Sequence, residues 1–125
     1  MTTFTSHQIK GRGRARKLGY PTINLEIPEN LDLKEGVYGV QFMVDEKKYL
    51  GAMHYGPSPT FNDEEKTLEV FLIDLKDKAI PETNGKTLRI NILKYLREIL
   101  SFKDIDKLTN QIIEDIREII SLKDD

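Results

Sequence analysis

Apolar positions in the first three quarters of the chain come in short runs broken by turn-forming residues, and only after residue 104 does their spacing lengthen to threes and fours. Short apolar runs bounded by Gly, Pro, Asn and Asp read as strands. On that pattern strands are predicted at 2–9, 22–27, 36–44, 48–54, 68–74 and 87–96. Asp45-Glu46-Lys47 reads as a tight hairpin turn, and Thr83-Asn84-Gly85 as a turn before the last strand. No helical periodicity separates these runs, so their connections are expected to be antiparallel. The expected fold is mainly β, a small six-stranded antiparallel Greek-key-like barrel, whose closure removes exposed edges.

The period then changes. Asp104 is a suitable N-cap, and Ile105, Leu108, Ile112, Ile116 and Ile119 recur at helical spacing, with Ile113 and Ile120 widening the stripe. This predicts a C-terminal α-helix over about 104–122 that packs one face against the barrel. Its polar face, with Asp106, Asn110, Glu114, Asp115 and Glu118, lacks the Lys and Arg of a membrane-surface helix. The helix is read as a structural cover.

Neither a repeat nor a Gly/Ser-rich linker divides the 125 residues, so 1–125 is read as one domain. With 38% hydrophobic and 32% charged residues the composition is that of a soluble globular chain, and the apolar runs are too short to cross a bilayer. The segment MTTFTSHQIK lacks the basic start and apolar core of a secretory signal, so a cytoplasmic location is expected. Absence of cysteine excludes disulfides and thiolate metal sites. Net charge is −2, which gives no support to a nucleic-acid partner, yet five of the eight residues from Lys10 to Lys17 are basic and none is acidic.

That basic patch lies within GRGRARKLGYPTINL, residues 11–25. Gly11 and Gly13 are free to take positive φ, so their backbone N–H groups can converge on an anion beside Arg12, Arg14, Arg16 and Lys17. Pro21 biases Tyr20 toward extended geometry, which places Thr22 and Asn24 two apart on a strand-like backbone with both side chains on one side. A hydroxyl and an amide oxygen there are neutral hard ligands of the kind Mg²⁺ accepts while it binds nucleotide phosphates. An ordinary turn leading into a strand is the plainer reading. Glu69 stands in an otherwise apolar run, so it is either a solvent-facing member of an alternating strand or a carboxylate aimed into a site.

The segment GRGRARKLGYPTINL resembles the N-terminal signature of ATP-dependent riboflavin kinases, and further motifs follow in the family's order. These are Gly36-Val37-Tyr38, the run from Gly51 through Gly56 to Pro59-Thr60-Phe61, the strand Leu68-Glu69-Val70-Phe71-Leu72, and Leu96-Arg97 with Phe102 before the helix. The resemblance implies transfer of the ATP γ-phosphate to the ribityl 5′-hydroxyl of riboflavin, giving FMN and ADP with Mg²⁺. It assigns the nucleotide to Gly11, Gly13, Arg14, Lys17, Leu18, Gly19, Pro21, Thr22 and Asn24, the metal to Thr22 and Asn24, and proton acceptance to Glu69. Arg97 and Phe102 fall in its flavin-side region, although Phe102 also reads as a core anchor and Arg97 as a surface ion-pair partner of Glu98 or Asp104.

Departures from the family pattern gather on the flavin side: His54 stands in place of an asparagine, Ser58 in place of an arginine, Ile99 where an acid is common, and Asn84 before Gly85. A lone histidine at a strand end is read as structural. Nothing in the chain resembles the nucleotide-binding motif of the FMN adenylyltransferase domain found in bifunctional members, so the resemblance implies FMN but not FAD as product. The expected partners are riboflavin or FMN and ATP or ADP, with no nucleic acid and no membrane, on a monomer. Two other readings compete with this one. The first is a flavin or nucleotide sensor on the same fold without turnover, against which the combination of Thr22, Asn24 and Glu69 argues. The second is a nucleic-acid-binding small barrel using the Lys10 to Lys17 patch with Tyr20, Tyr38 or Phe42, against which the acidic Asp63-Glu64-Glu65 argues.

Overall fold

The computed structural model describes residues 2–9, 22–58, 63–75, 80–101 and 103–124. Among them are the strands β1 (Thr3–Ser6), β2 (Thr22–Leu25), β3 (Gly36–Val44), β4 (Lys47–Ser58), β5 (Asp63–Leu72) and β6 (Leu88–Arg97), followed by helix α1 (Ile105–Ser121). The strands form one antiparallel sheet in the order β1-β6-β3-β4-β5-β2. The sheet curls until its two edges meet: Gln8 bridges Leu25, the Ile9 amide donates to the Asn24 carbonyl at 2.9 Å, and the Glu26 amide donates to the His7 carbonyl at 3.0 Å. The mainly β barrel expected from the alternation is the observed architecture.

Two apolar layers hold it. Inside the curl lie Ile23, Leu25, Tyr38, Val40, Phe42, Met53, Leu68, Val70, Leu72, Leu88 and Ile90. On the other face of the sheet Leu50, Ala52, Phe71 and Ile73 pack against Ile112, Ile116 and Ile119 of α1. Because side chains alternate along a strand, Val70 enters the first layer while its neighbour Phe71 enters the second. Gly39 lets the helix approach: a Cβ there would stand 3.1 Å from both Ile119 Cγ1 and Leu122 Cδ1.

The β3–β4 hairpin is tighter than the sequence suggested. Val44 pairs with Lys47, so the loop is Asp45 and Glu46 alone, at φ 50° and 66°, and Lys47 belongs to the strand. Positive φ at both central residues matches the right-handed twist of the flanking strands. β4 extends to Ser58 and β5 begins at Asp63, beyond the limits read from hydrophobicity, since backbone pairing continues through their polar ends. The Thr83-Asn84-Gly85 turn is present, with Gly85 at φ +76° and the Lys86 amide donating to the Thr83 carbonyl.

Helix α1 starts as expected, with the Asp104 carboxylate accepting from the Asp106 amide at 2.8 Å. Its stripe differs. Ile113 and Ile120 are exposed rather than widening the packed face, and Asp115, read as part of the polar face, is buried at 4% exposure. The geometric reason is that 112, 115, 116 and 119 share one helical face, while 113 and 120 lie about 100° round from it at 3.6 residues per turn.

Candidate active site

Helix α1 covers only part of its face of the sheet, and a polar row begins where its apolar contacts stop. Thr22 and Asn24 flank Ile23, which is buried in the barrel interior, so both project to the outer, helix-bearing face. Across the β2–β5 pair Asn24 stands opposite Glu69, and Thr22 opposite Phe71. Glu69 in turn stands opposite His54 across β4–β5, His54 opposite Val37 across β3–β4, and Val37 opposite Arg97 across β3–β6. One cross-strand row therefore runs Asn24, Glu69, His54, Val37, Arg97, with directly opposed Cβ atoms about 4.5–5.5 Å apart in such pairs. The neighbouring row through Phe71 and Ala52 is the apolar floor under α1.

The register sets Glu69 on the helix-bearing face of β5, opposite Asn24 and His54. Glu69 is half-buried, flanked by an amide and an imidazole, and two residues from the packed ring of Phe71. Thr22 Oγ1 is buried and makes no hydrogen bond among the described residues. A buried hydroxyl without a partner costs about 1–3 kcal/mol, so an oxygen-seeking ligand at this point would recover that penalty. The Thr22 and Asn24 oxygens on one face fit a hard cation that keeps waters and phosphate among its ligands. Among the described residues no group of three or more His, Asp or Glu side chains is placed to hold a metal by itself. An open cleft of about 600 Å³ is walled by Gln8, Ile9, Ile80, Glu82 and Thr83, and its link to the row is the backbone hydrogen bond from the Ile9 amide to the Asn24 carbonyl.

At the far end of the row Arg97 donates from Nε to Asp115 Oδ1 at 3.0 Å and from Nη2 to Oδ2 at 2.8 Å, and from Nη1 to the Glu98 carbonyl at 3.2 Å. Gln111 Nε2 donates to the same Asp115 Oδ1 at 3.0 Å. The partner expected for Arg97, Glu98 or Asp104, is thus corrected to Asp115: about three turns of helix bring the buried carboxylate back over the strand end. Asp115 carried a signal that the sequence reading missed, an acid three residues after Ile112 within the packed stripe. The expectations for Gly11, Gly13, Arg14, Lys17, Leu18, Gly19, Pro21 and Phe102 lie outside the described residues.

Comparisons with known proteins agree with this architecture. A family model described as Riboflavin kinase, Flavokinase, matches residues 1–122. An RNA-binding riboflavin kinase of Bacillus subtilis is 38% identical over 117 residues, covering 93% of this chain and 49% of that protein. A bifunctional riboflavin kinase/FMN adenylyltransferase of Buchnera aphidicola is 35% identical, covering 91% of this chain and 36% of its own length. This chain thus spans about half or less of the length of these relatives. Among solved structures, one titled as a macrolide-efflux protein from Streptococcus pneumoniae superposes with a TM-score of 0.72 at 28% identity, covering 90% of this chain and 36% of that one. A riboflavin kinase from Trypanosoma brucei shares the fold, with a TM-score of 0.59 at 16% identity over 96% of this chain and 78% of that one. By the match of its family model over nearly the whole sequence, the chain belongs to the riboflavin kinase family.

Proposed function

We propose that this chain transfers the γ-phosphate of ATP to the 5′-hydroxyl of riboflavin, giving FMN and ADP. The observation that carries the reading is the β2–β5 register, which sets Asn24 directly opposite Glu69 with Thr22 two residues along on the same face. Phosphoryl transfer asks the protein chiefly for positioning and charge neutralisation, with one acceptor near the attacking hydroxyl. Glu69 is that acceptor: it takes the hydroxyl proton as the oxygen attacks phosphorus. Thr22 and Asn24 would hold Mg²⁺ between the chain and the nucleotide phosphates, where the ion supplies neutralisation of the phosphate charge. The cleft beside residues 8–9 offers room for the remainder of the nucleotide, and the resemblance assigns its phosphates to the glycine-rich basic sequence 11–19.

Riboflavin lies toward Arg97 in this reading. The Arg97 guanidinium is held in place by Asp115 before any ligand arrives, so it is pre-oriented rather than recruited. Incubating the chain with riboflavin, ATP and Mg²⁺ and separating the flavins by chromatography tests the proposal. FMN is expected in proportion to protein, with Glu69→Gln lowering the rate by about a hundredfold to ten-thousandfold. Wild-type rates in Glu69→Gln remove the base, and absence of FMN with riboflavin still bound leaves a sensor.

A further inference from the structure

Between the carboxylate read as the base and the Arg97–Asp115 clamp, the row contains a side chain that the proposed chemistry does not use. His54 is half-buried, its Nδ1 is buried, and it stands directly opposite Glu69 in the β4–β5 pair. Antiparallel opposition puts both side chains on one face within reach of each other. A carboxylate that must present one oxygen to a substrate hydroxyl gains from having its other oxygen fixed, because a free carboxylate rotates about its last bond. A neutral imidazole has one N–H to donate for that purpose.

We propose that His54 is a positioning residue for Glu69: its imidazole donates an N–H to one carboxylate oxygen and so aims the other at the attacking hydroxyl. This rests on the reading of Glu69 as the base. Its consequence is a rate effect: without a donor at 54 the carboxylate is free to turn away from the hydroxyl, so turnover falls while substrate binding does not. The charged groups that face His54 from the surrounding elements, among the described residues, are few. Glu69 is opposite on β5, and Val37 opposite on β3 is uncharged. Glu35 precedes β3 and is paired with Lys66 at 3.1 Å. Arg97 lies two strands away and is neutralised by Asp115 of α1. Asn24 and Thr22 on β2 carry no charge. Glu69 is therefore the carboxylate directly opposed to His54.

The chain has two histidines, and His7 lies apart at 60% side-chain exposure beside Glu26, so it serves as an internal reference. Proton NMR titration of the imidazole C–H signals in wild type and Glu69→Gln is the first arm. An opposed carboxylate favours imidazolium, so the His54 midpoint should fall in Glu69→Gln. An unmoved His54 midpoint overturns the proposal, whether or not the chain makes FMN. The second arm is kinetic. His54→Phe, which keeps a planar ring without a donor, should lower kcat by about tenfold to a hundredfold with KM for riboflavin and nucleotide unchanged. His54→Asn, which restores a donor, should recover most of the rate. If His54→Phe retains the wild-type kcat, the positioning role is wrong while the kinase stands. If wild type yields no FMN, the kinase reading fails and the catalytic role of His54 fails with it, with the titration still deciding whether the two side chains are paired.

Discussion

Arg97 at the end of β6 and Asp115 in the middle of α1 meet in a two-pronged ion pair, their side chains 18% and 5% exposed, with Nη2 and Oδ2 2.8 Å apart. Gln111 completes the coordination of the carboxylate. The pair stands at the last position of the row that contains Asn24, Glu69 and His54. It therefore fixes the helix to the sheet where that row ends.

Removing one member of such a pair strands the other. Asp115→Ala leaves a guanidinium with little access to water and should cost about 3 kcal/mol of unfolding free energy, at the lower end for buried pairs because Arg97 retains some exposure. Arg117→Ala is the matched control: its contact with Glu114 is 3.5 Å long and both side chains are mostly exposed, so its loss should cost less than about 0.5 kcal/mol. Urea denaturation of both variants checks the contrast, and equal losses would show that the Arg97–Asp115 pair is no anchor.

The hairpin turn yields a stabilising change remote from the site. Asp45 and Glu46 both hold positive φ, at 50° and 66°, which costs an L-residue with a long side chain roughly 1 kcal/mol or more. Asp45 tolerates this conformation better than Glu46, because short polar side chains hydrogen-bond locally. Asp45 is also in an ion pair with Lys86. Glu46→Gly converts the loop to Asp-Gly, the favoured sequence for this turn, and should raise the melting temperature by a few degrees with FMN formation unaltered. A lower melting temperature would mean that the Glu46 side chain contributes something its exposed position does not suggest.

The same hairpin shows how far the sequence could be read. Short apolar runs bounded by turn residues located all six strands, and the prediction that Thr22 and Asn24 share a face followed from the period of two along a strand. Register is different. Whether Glu69 faces Asn24 and His54, or neighbours one step away, depends on the length of the β3–β4 turn and on where β4 gives way to β5, and turns of two or three residues look alike in sequence. The row could not be assembled before the pairings were known. Asp115 was misjudged for a related reason: a single acid within an apolar stripe reads as surface until the strand bearing its arginine partner is placed beneath it.

Tyr38 provides a test of the barrel interior. Its hydroxyl donates to the Lys34 carbonyl and its ring meets Tyr95 edge-on, centroids 5.2 Å apart at 73°. Burial, and after it the proximity of the Tyr95 and Tyr55 phenols, pushes the Tyr38 phenol above its ordinary value of 10.0. The unfolded chain therefore releases this proton at a lower pH than the folded one. Stability from Tyr38 is complete below pH 10.0 and declines as pH rises from there toward the folded value. Alkaline unfolding curves of wild type and Tyr38→Phe should diverge only above that point, with the variant falling less steeply. Parallel curves would place the phenol in water.

Thr22→Val separates what the fold wants from what the site wants. Valine matches threonine in shape but carries no hydroxyl, and the Thr22 hydroxyl is buried without a hydrogen bond among the described residues. Replacing it removes an unsatisfied polar atom, so the unliganded variant should gain about 1 kcal/mol of stability. If Thr22 holds the Mg-nucleotide complex, the same change should weaken binding of ADP with Mg²⁺ by about tenfold, one ligand's worth of about 1.4 kcal/mol, while binding of ADP without divalent metal changes little. Calorimetric titration with and without Mg²⁺, beside urea denaturation of the free chain, measures both quantities. Opposite signs in the two experiments mark a residue retained for its ligand at the expense of the fold, as functional sites commonly are. A variant that is more stable and binds Mg-ADP undiminished would remove Thr22 from the metal site and leave Asn24 to be tested alone.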